Sequence, residues 1–447
     1  MTEITKSTPV NSSASSDTLE AATLPIASAA EKAQDTEAQL PVVPSPPPNG
    51  GRVAWIQVLC GFLLFFNTFG ILTTFGVYQT YYESPESPFT RATSDISWIG
   101  SIQAFLLQFG GILAGPFFDK GYLRTLLGMG TFFIVFGHMM LSISTAYWHV
   151  LLAQSFCVGL GMGCLYVPSI SLLPSYFSTR LGLAVGLVSS GSAVGGVIYP
   201  IILQRLIQQV GFGWAVRVAG FVALVTLLVP LALMRMRIKP SKARALIDWT
   251  AFTDLPFMWF TLATAVGFMG LNAFQIFFAF YAKEQGIAST DFAFNLVSMY
   301  NGMSAVGRII PNALSDKIGQ FNILAPSMIV AGIVYYCTIV THSIGPMIAI
   351  TLLSGFFLGV LTALPPVCFT ILTKDKTKIG TRIGTGFAII AFGILAGGPG
   401  AGGILQHTKP LAWTSTWIFA GTLMVSSGFM YAALRFARSG GKLWIKV

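Results

Sequence analysis

YNGMSAVGRIIPNALSDKIG, residues 300–319, reads as an apolar helix with one full positive charge, Arg308, inside it. The stretch ends on Asp316 and Lys317. Arg308 stands eight residues before Asp316, about 12 Å along a helix that rises about 1.5 Å per residue. With Asp316 at a membrane surface, Arg308 lies near the middle of a hydrocarbon core about 30 Å thick. A charge there costs from about 2.5 kcal/mol to more than about 10 kcal/mol, and such residues face a cavity or a partner. Two readings follow. Arg308 contacts a substrate, or it is a structural arginine bonded to carbonyls of a broken helix nearby. No other Lys or Arg lies as deep, which favours the first.

The rest of the chain is built of similar runs. Of its 447 residues, 54% are hydrophobic and 9% charged, where soluble domains average about 25% charged. Apolar runs of membrane-spanning length recur from Trp55 to Phe436 without the alternation of barrel strands. Twelve spanning helices are expected, over 55–79, 96–118, 125–145, 148–172, 182–204, 214–234, 256–280, 293–314, 321–341, 346–372, 383–405 and 414–436. The fold class is therefore an all-α membrane protein of two six-helix halves. The halves are 53–236 and 254–438, joined by a linker at 237–253. Residues 1–52 lack apolar periodicity and end in PSPPPNGG; they and 439–447 are expected as cytosolic tails, the first disordered, with no cleaved signal peptide.

Composition also excludes several chemistries. Cys60, Cys157, Cys164, Cys337 and Cys368 all sit in apolar segments without a Cys-x-x-Cys pair, which makes them packing residues. The four histidines are scattered, so no metal site is expected, and His138 reads as a bonded core residue. No nucleophile elbow, phosphate loop or nucleotide fingerprint is present, so neither an enzyme nor a cofactor is expected.

The net charge of +10 is a matter of topology. With the N-terminus inside, eighteen Lys and Arg fall in inside loops and five outside, the latter being Arg91, Arg205, Arg217, Lys283 and Lys409. Both termini are then cytosolic. The basic excess faces the lipid bilayer, and no nucleic-acid partner is implied.

GGILAGPFFDK (110–120) aligns with GRIIPNALSDK (307–317), so that Gly110, Asp119 and Lys120 fall on Gly307, Asp316 and Lys317. RLGLAVGLVSSGSAVGG (180–196) aligns with RIGTGFAIIAFGILAGG (382–398). Arg180, Gly182, Gly191, Gly195 and Gly196 fall on Arg382, Gly384, Gly393, Gly397 and Gly398. The glycines suit seams where membrane helices approach closely. Arg308 falls opposite Gly111, so the repeat does not account for it.

GFLLFFNTFGILTTFGVYQTYYE (61–83), SDISWIGSIQAFLL (94–107), GLGMGCLYVPS (159–169) and SYFSTRLGLAVGLVSSGSAVGGVIYP (175–200) resemble the monocarboxylate transporter family of the major facilitator superfamily, its fungal branch most of all. The resemblance covers nearly all of 52–438. It implies alternating access and, for many members, proton-coupled movement of small organic anions, with the substrate site between the halves. The family's lactate carriers place an aspartate one turn before the helix-8 arginine and a lysine on helix 1. Arg308 matches the arginine, but Ser304 and Thr73 stand at the other two positions. An anion is still attracted, while no intramembrane carboxylate is left for the proton. The fungal branch includes riboflavin carriers and exporters tied to secondary metabolism, so larger and less charged substrates suit this chain.

The candidate substrate-binding residues are Arg308, Asn67, Asn272, Gln275, Asn301 and Tyr166. Asn272 and Gln275 share a helix face, and Asn301 precedes Arg308 by two turns. Each amide has the alternative of a partner on another helix. Asp119, Lys120, Asp316 and Lys317 are expected to hold a cytosolic gate through basic partners and helix N-termini. The expected function is a secondary active transporter for a small organic anion or polar metabolite, acting as a monomer with proton coupling open, in the plasma or vacuolar membrane. The competing class is a transporter-shaped nutrient sensor. The 18-to-5 charge split makes a direct prediction. A tag or protease site in 235–255 will be inaccessible from outside intact cells, and cleavage there from outside overturns the orientation.

Overall fold

The computed structural model describes residues 47–442, apart from 83, 88, 92, 238–247, 376–377, 406 and 408–410. The N-terminal tail to residue 46, most of the linker, Lys409 and residues 443–447 thus lie outside the described residues. Among the described residues every regular element is helical. Ten helices are long and apolar enough to cross a membrane. One of them, Leu181–Leu233, is 53 residues long and is broken at Gly211, whose φ of 79° and ψ of 166° are not helical. It therefore supplies two passes. A further helix, Thr290–Ile318, is as long as its neighbours but less apolar, because Asn301, Arg308, Asn312 and Asp316 lie along it. These make twelve passes.

In chain order they are α1 (Arg52–Tyr82), α2 (Trp98–Asp119, whose helix starts at Thr93), α3 (Leu123–Leu141), α4 (Tyr147–Ser175), α5 (181–210), α6 (212–233), α7 (Leu255–Glu284), α8 (Thr290–Ile318), α9 (Gln320–Val340), α10 (Ile344–Leu372), α11 (Ile379–Leu405) and α12 (Trp413–Ser439). Several run a turn or so beyond the apolar runs read from the sequence, to polar ends such as Arg52 and Ser439. Two are irregular. In α1 the helix is interrupted at Thr68 and Thr74, where both hydroxyls bond carbonyls four residues back, a pattern that bends helices. In α4 the segment Leu151–Val158 is a π-helix.

Glycine contacts show how the sequence repeat becomes structure. Within the first half, a Cβ on Gly191 or Gly195 would strike the carbonyls of Phe62 and Phe66 on α1. Within the second half, Gly393 and Gly397 meet Ala265 and Met269 of α7 in the same way. The register inside each half is preserved. Gly307 likewise lets α8 lie on α10, against the Phe356 carbonyl. The halves meet along two seams, α5 on α8 and α2 on α11. Gly182 and Gly186 of α5 face the carbonyls of Asn312 and Arg308, and Gly384 of α11 faces that of Gly111.

The α5–α8 seam is tight near Asp316 and looser farther along. Gly196, farther along α5, has only the Thr73 hydroxyl within 3 Å, and Asn301 at 3.8 Å. The halves are thus held closely together at the end holding Asp119 and Asp316.

These two kinds of glycine predict different failures. Gly307→Val overpacks the interior of one half, which costs about 1–3 kcal/mol, so its melting temperature in detergent should fall. Gly384→Val wedges the halves apart at the closed end while each half stays folded. It should raise thiol labelling of a reporter cysteine near that seam with little change in melting. Wild-type labelling in Gly384→Val would refute the seam assignment.

Candidate functional site

Closure rests on two carboxylates. Asp119, at the end of α2, accepts hydrogen bonds from the Gly380 and Thr381 amides at 3.1 and 2.7 Å and from the Thr381 hydroxyl at 2.6 Å. Asp316, at the end of α8, accepts from the Gly182 and Leu183 amides at 2.7 and 2.9 Å. Each aspartate thus serves as the N-cap of a helix in the other half. It satisfies the second and third amides, which a local Ser or Asp would normally take. The residue preceding α5 is Arg180, which makes no cap. Lys120 is half-buried and Lys317 exposed; the clasping bonds above belong to the aspartates.

The clasps are not related by the repeat. In the second half the bonded amides are Gly380 and Thr381, whose repeat counterparts are Ser178 and Thr179. Those two donate instead to Asn49 Oδ1, at 2.6 and 2.8 Å, in the segment that leads into α1. Asp316 takes the amides one turn later. The glycines agree: Gly186 meets residue 308, while Gly384, and not the counterpart of Gly186, meets residue 111. Helix α11 is therefore one turn, about 5.4 Å, out of register with the symmetric arrangement.

Arg308 is buried at the α5–α8 seam. One of its terminal nitrogens donates to the Ser189 carbonyl of α5 at 2.5 Å, and Nε has no protein partner. That carbonyl belongs to an unbroken stretch of α5, and the guanidinium retains an unused donor. Tyr300, Ser304, Arg308 and Asn312 follow one another at four-residue intervals. Ser304 Oγ, Arg308 Nε and Asn312 Oδ1 are buried without a protein partner, and the Tyr300 hydroxyl is buried beside that of Tyr335. The four-residue spacing is visible in the sequence, although Tyr300 and Asn312 do not stand out there.

The other candidates fall into separate places. Asn301 is buried and lies near Gly196, itself beside Thr73. Tyr166 lies in the seam, its ring 5.1 Å from Phe387 of α11 and 5.4 Å from Phe69 of α1. Asn272 donates to its own helix at Phe268 and packs on Gly397. Gln275 is half-buried. Asn67 is a different case. It is fully buried, donates to the Leu63 carbonyl and Thr226, and accepts from Tyr199 at 2.7 Å and Thr226 at 3.1 Å. Its amide knits α1, α5 and α6 of one half and leaves nothing for a ligand, which corrects its expected substrate role. His138 bonds the Ile134 carbonyl of its own helix at 2.8 Å.

One cluster has no forerunner in the sequence reading. Arg382, in the first turn of α11, reaches Asp248 at 3.1 Å, Asp254 at 2.7 Å and the Thr250 hydroxyl at 3.3 Å. Lys378 reaches Asp248 at 3.1 Å. Burial alone would raise the Asp248 carboxyl. Hydrogen bonds from Thr250, Arg382 and Lys378 outweigh it and hold the carboxyl at about 2. In sequence these residues read only as linker and loop charges.

Comparison with known proteins agrees with this architecture. The sequence profile of the Major Facilitator Superfamily matches residues 57–324. The chain is 55% identical over 382 residues to the MFS-type transporter dbaD of Emericella nidulans, covering 86% of each. It is 33% identical to the aspyridones efflux protein apdF of the same organism, covering 86% of this chain and 78% of that one. Among solved structures, FucP in the outward conformation superposes with a TM-score of 0.67 at 16% identity, covering 86% of this chain and 99% of that one. The human organic anion transporter MFSD10 gives 0.64 at 13%, covering 85% and 98%. With two six-helix halves and these relatives, the chain belongs to the major facilitator superfamily and is a multi-pass membrane transporter.

Proposed function

We propose that this protein is a secondary active transporter that exports or imports an amphipathic organic metabolite by alternating access between its halves. The observation that carries the reading is Arg308. It is a buried guanidinium at the α5–α8 seam, with one donor on the opposite half and Nε unused. Asn301 lies two turns before it on the same helix, and Tyr166 of α4 packs against Phe387 of α11. A cationic fork in an apolar helix bundle suits a largely apolar cargo that carries one acceptor-rich group. Asn272 and Gln275 on α7 are proposed to complete it. A fungal relative named as an aspyridones efflux protein supports secondary metabolites as the cargo class. The fungal monocarboxylate-type subfamily is the corresponding family proposal. The clasped end is assigned to the cytosol, and the plasma membrane is the assigned location. Proton coupling, if present, has no carboxylate at Ser304 to rest on. Comparing metabolites inside and outside cells with and without the gene identifies the cargo, and vesicle flux of that compound then tests transport. Binding without flux would instead support a sensor.

Arg308→Ala should reduce that flux by about 100-fold, the upper range for losing a charged hydrogen bond of about 1.5–3 kcal/mol, while the protein still folds and reaches the membrane. Arg308→Lys keeps the charge but loses the fork, and should retain part of the activity. Normal flux in an Arg308→Ala protein that melts early would leave the residue a purely structural clasp. For the clasps, Asp119→Asn and Asp316→Asn should change turnover more than cargo affinity. A large affinity loss with unchanged turnover contradicts the gate assignment.

A further inference from the structure

The one-turn offset of α11 needs a physical cause, because the repeat alone would place its clasp a turn later. The extra turn is the segment 379–382. Glycine at 380 is a poor helix former, and the turn's amides face Asp119 in the other half. What fixes it to its own half is the ion cluster. Arg382 and Lys378, four residues apart, flank the two clasped residues. Both reach Asp248 at the end of the linker, and Arg382 also reaches Asp254 at the start of α7. The counterpart of Arg382 is Arg180, which is exposed. Its turn is not helical, and the bracket there is the neutral amide of Asn49.

We propose that Asp248, Asp254, Lys378 and Arg382 are positioning residues of the transport cycle. They hold the first turn of α11 against the second half, so that the grip of Asp119 closes the protein rather than holding a loose turn. The linker end thereby sets how firmly the Asp119 side of the gate closes, and the two sides of the gate are unequal. The α2–α11 side is a buried ionic latch. On the α5–α8 side, the loop before α5 has an exposed neutral bracket. The reasoning rests on the alternating-access reading above. It is tested by conformation alone, so failure of the latch and failure of transport are told apart.

The experiment uses the full chain in lipid nanodiscs, with spin labels at Tyr122→Cys and Lys374→Cys and the native cysteines replaced. Tyr122 and Lys374 are exposed, one in each half at the clasped end. The wild-type background should give one dominant distance. Asp248→Asn should raise the separated fraction about tenfold, equivalent to about 1.4 kcal/mol. Arg382→Lys, which can satisfy only part of the cluster, should fall between the two and covers the case in which Asp248→Asn does not fold. Asn49→Ala should shift the distribution less. Two results overturn the proposal. One is a lower melting temperature with an unchanged distance distribution, the behaviour of a merely structural brace. The other is an Asn49→Ala effect equal to that of Asp248→Asn.

Discussion

The closed end of this transporter depends on carboxylates placed on helix N-termini that belong to the opposite half. A helix leaves its first amides without internal partners, and its dipole favours negative charge there. The cap supplied by Asp119 or Asp316 is therefore a real contribution to each helix, and it is withdrawn whenever the halves part. Hydrogen bonds to a charged group contribute about 1.5–3 kcal/mol each. A handful of them can hold the halves together and still be broken in a cycle. Glycine makes the geometry possible, because Gly182 and Gly380 admit carboxylate oxygens where a side chain would collide.

The fold was largely legible in the sequence because its causes are local and repeated. Length and hydropathy give the passes, and the repeat gives the halves. Arg308 stood out because a deep charge is costly wherever it points. Partnership was much less legible. Asn67 reads from sequence like any polar residue in an apolar helix. Its partners Tyr199 and Thr226 lie 132 and 159 residues away, and only packing reveals that they saturate it. Asp248 and Arg382 stand 134 residues apart, and as loop charges they carry no pattern. The one-turn offset of α11 was invisible for another reason. The aligned glycines keep their register within each half, and the slip exists only between halves.

That division has a physical basis. Contacts inside a half are made once and kept, so they follow the sequence repeat closely, as the paired seams of Gly191 with Phe62 and Gly393 with Ala265 do. In the proposed alternating-access cycle, contacts between halves would be made and broken, and nothing requires the two seams to be equivalent. Asymmetry collects there. It includes Arg308 facing Ser189 with only Gly111 at its counterpart position, and Asp119 gripping α11 one turn earlier than Asp316 grips α5.

Arg308 itself joins the two aspects of the site. Its bond to the Ser189 carbonyl adds to the α5–α8 seam on the far side of the Asp316 clasp from solvent. Parting α5 from α8 would remove that acceptor, and a guanidinium left unsatisfied in a low-dielectric site is expensive. A cargo that brings its own acceptor to the terminal nitrogen released from Ser189 would lower the cost of the separated state. Cargo binding then favours opening through a differential interaction with the two states, which is the only way a ligand can shift such an equilibrium. Ser304 and Asn312, one turn to either side of Arg308, also bury polar atoms without protein partners, so this part of α8 keeps hydrogen-bonding capacity that an exchange of acceptors can use.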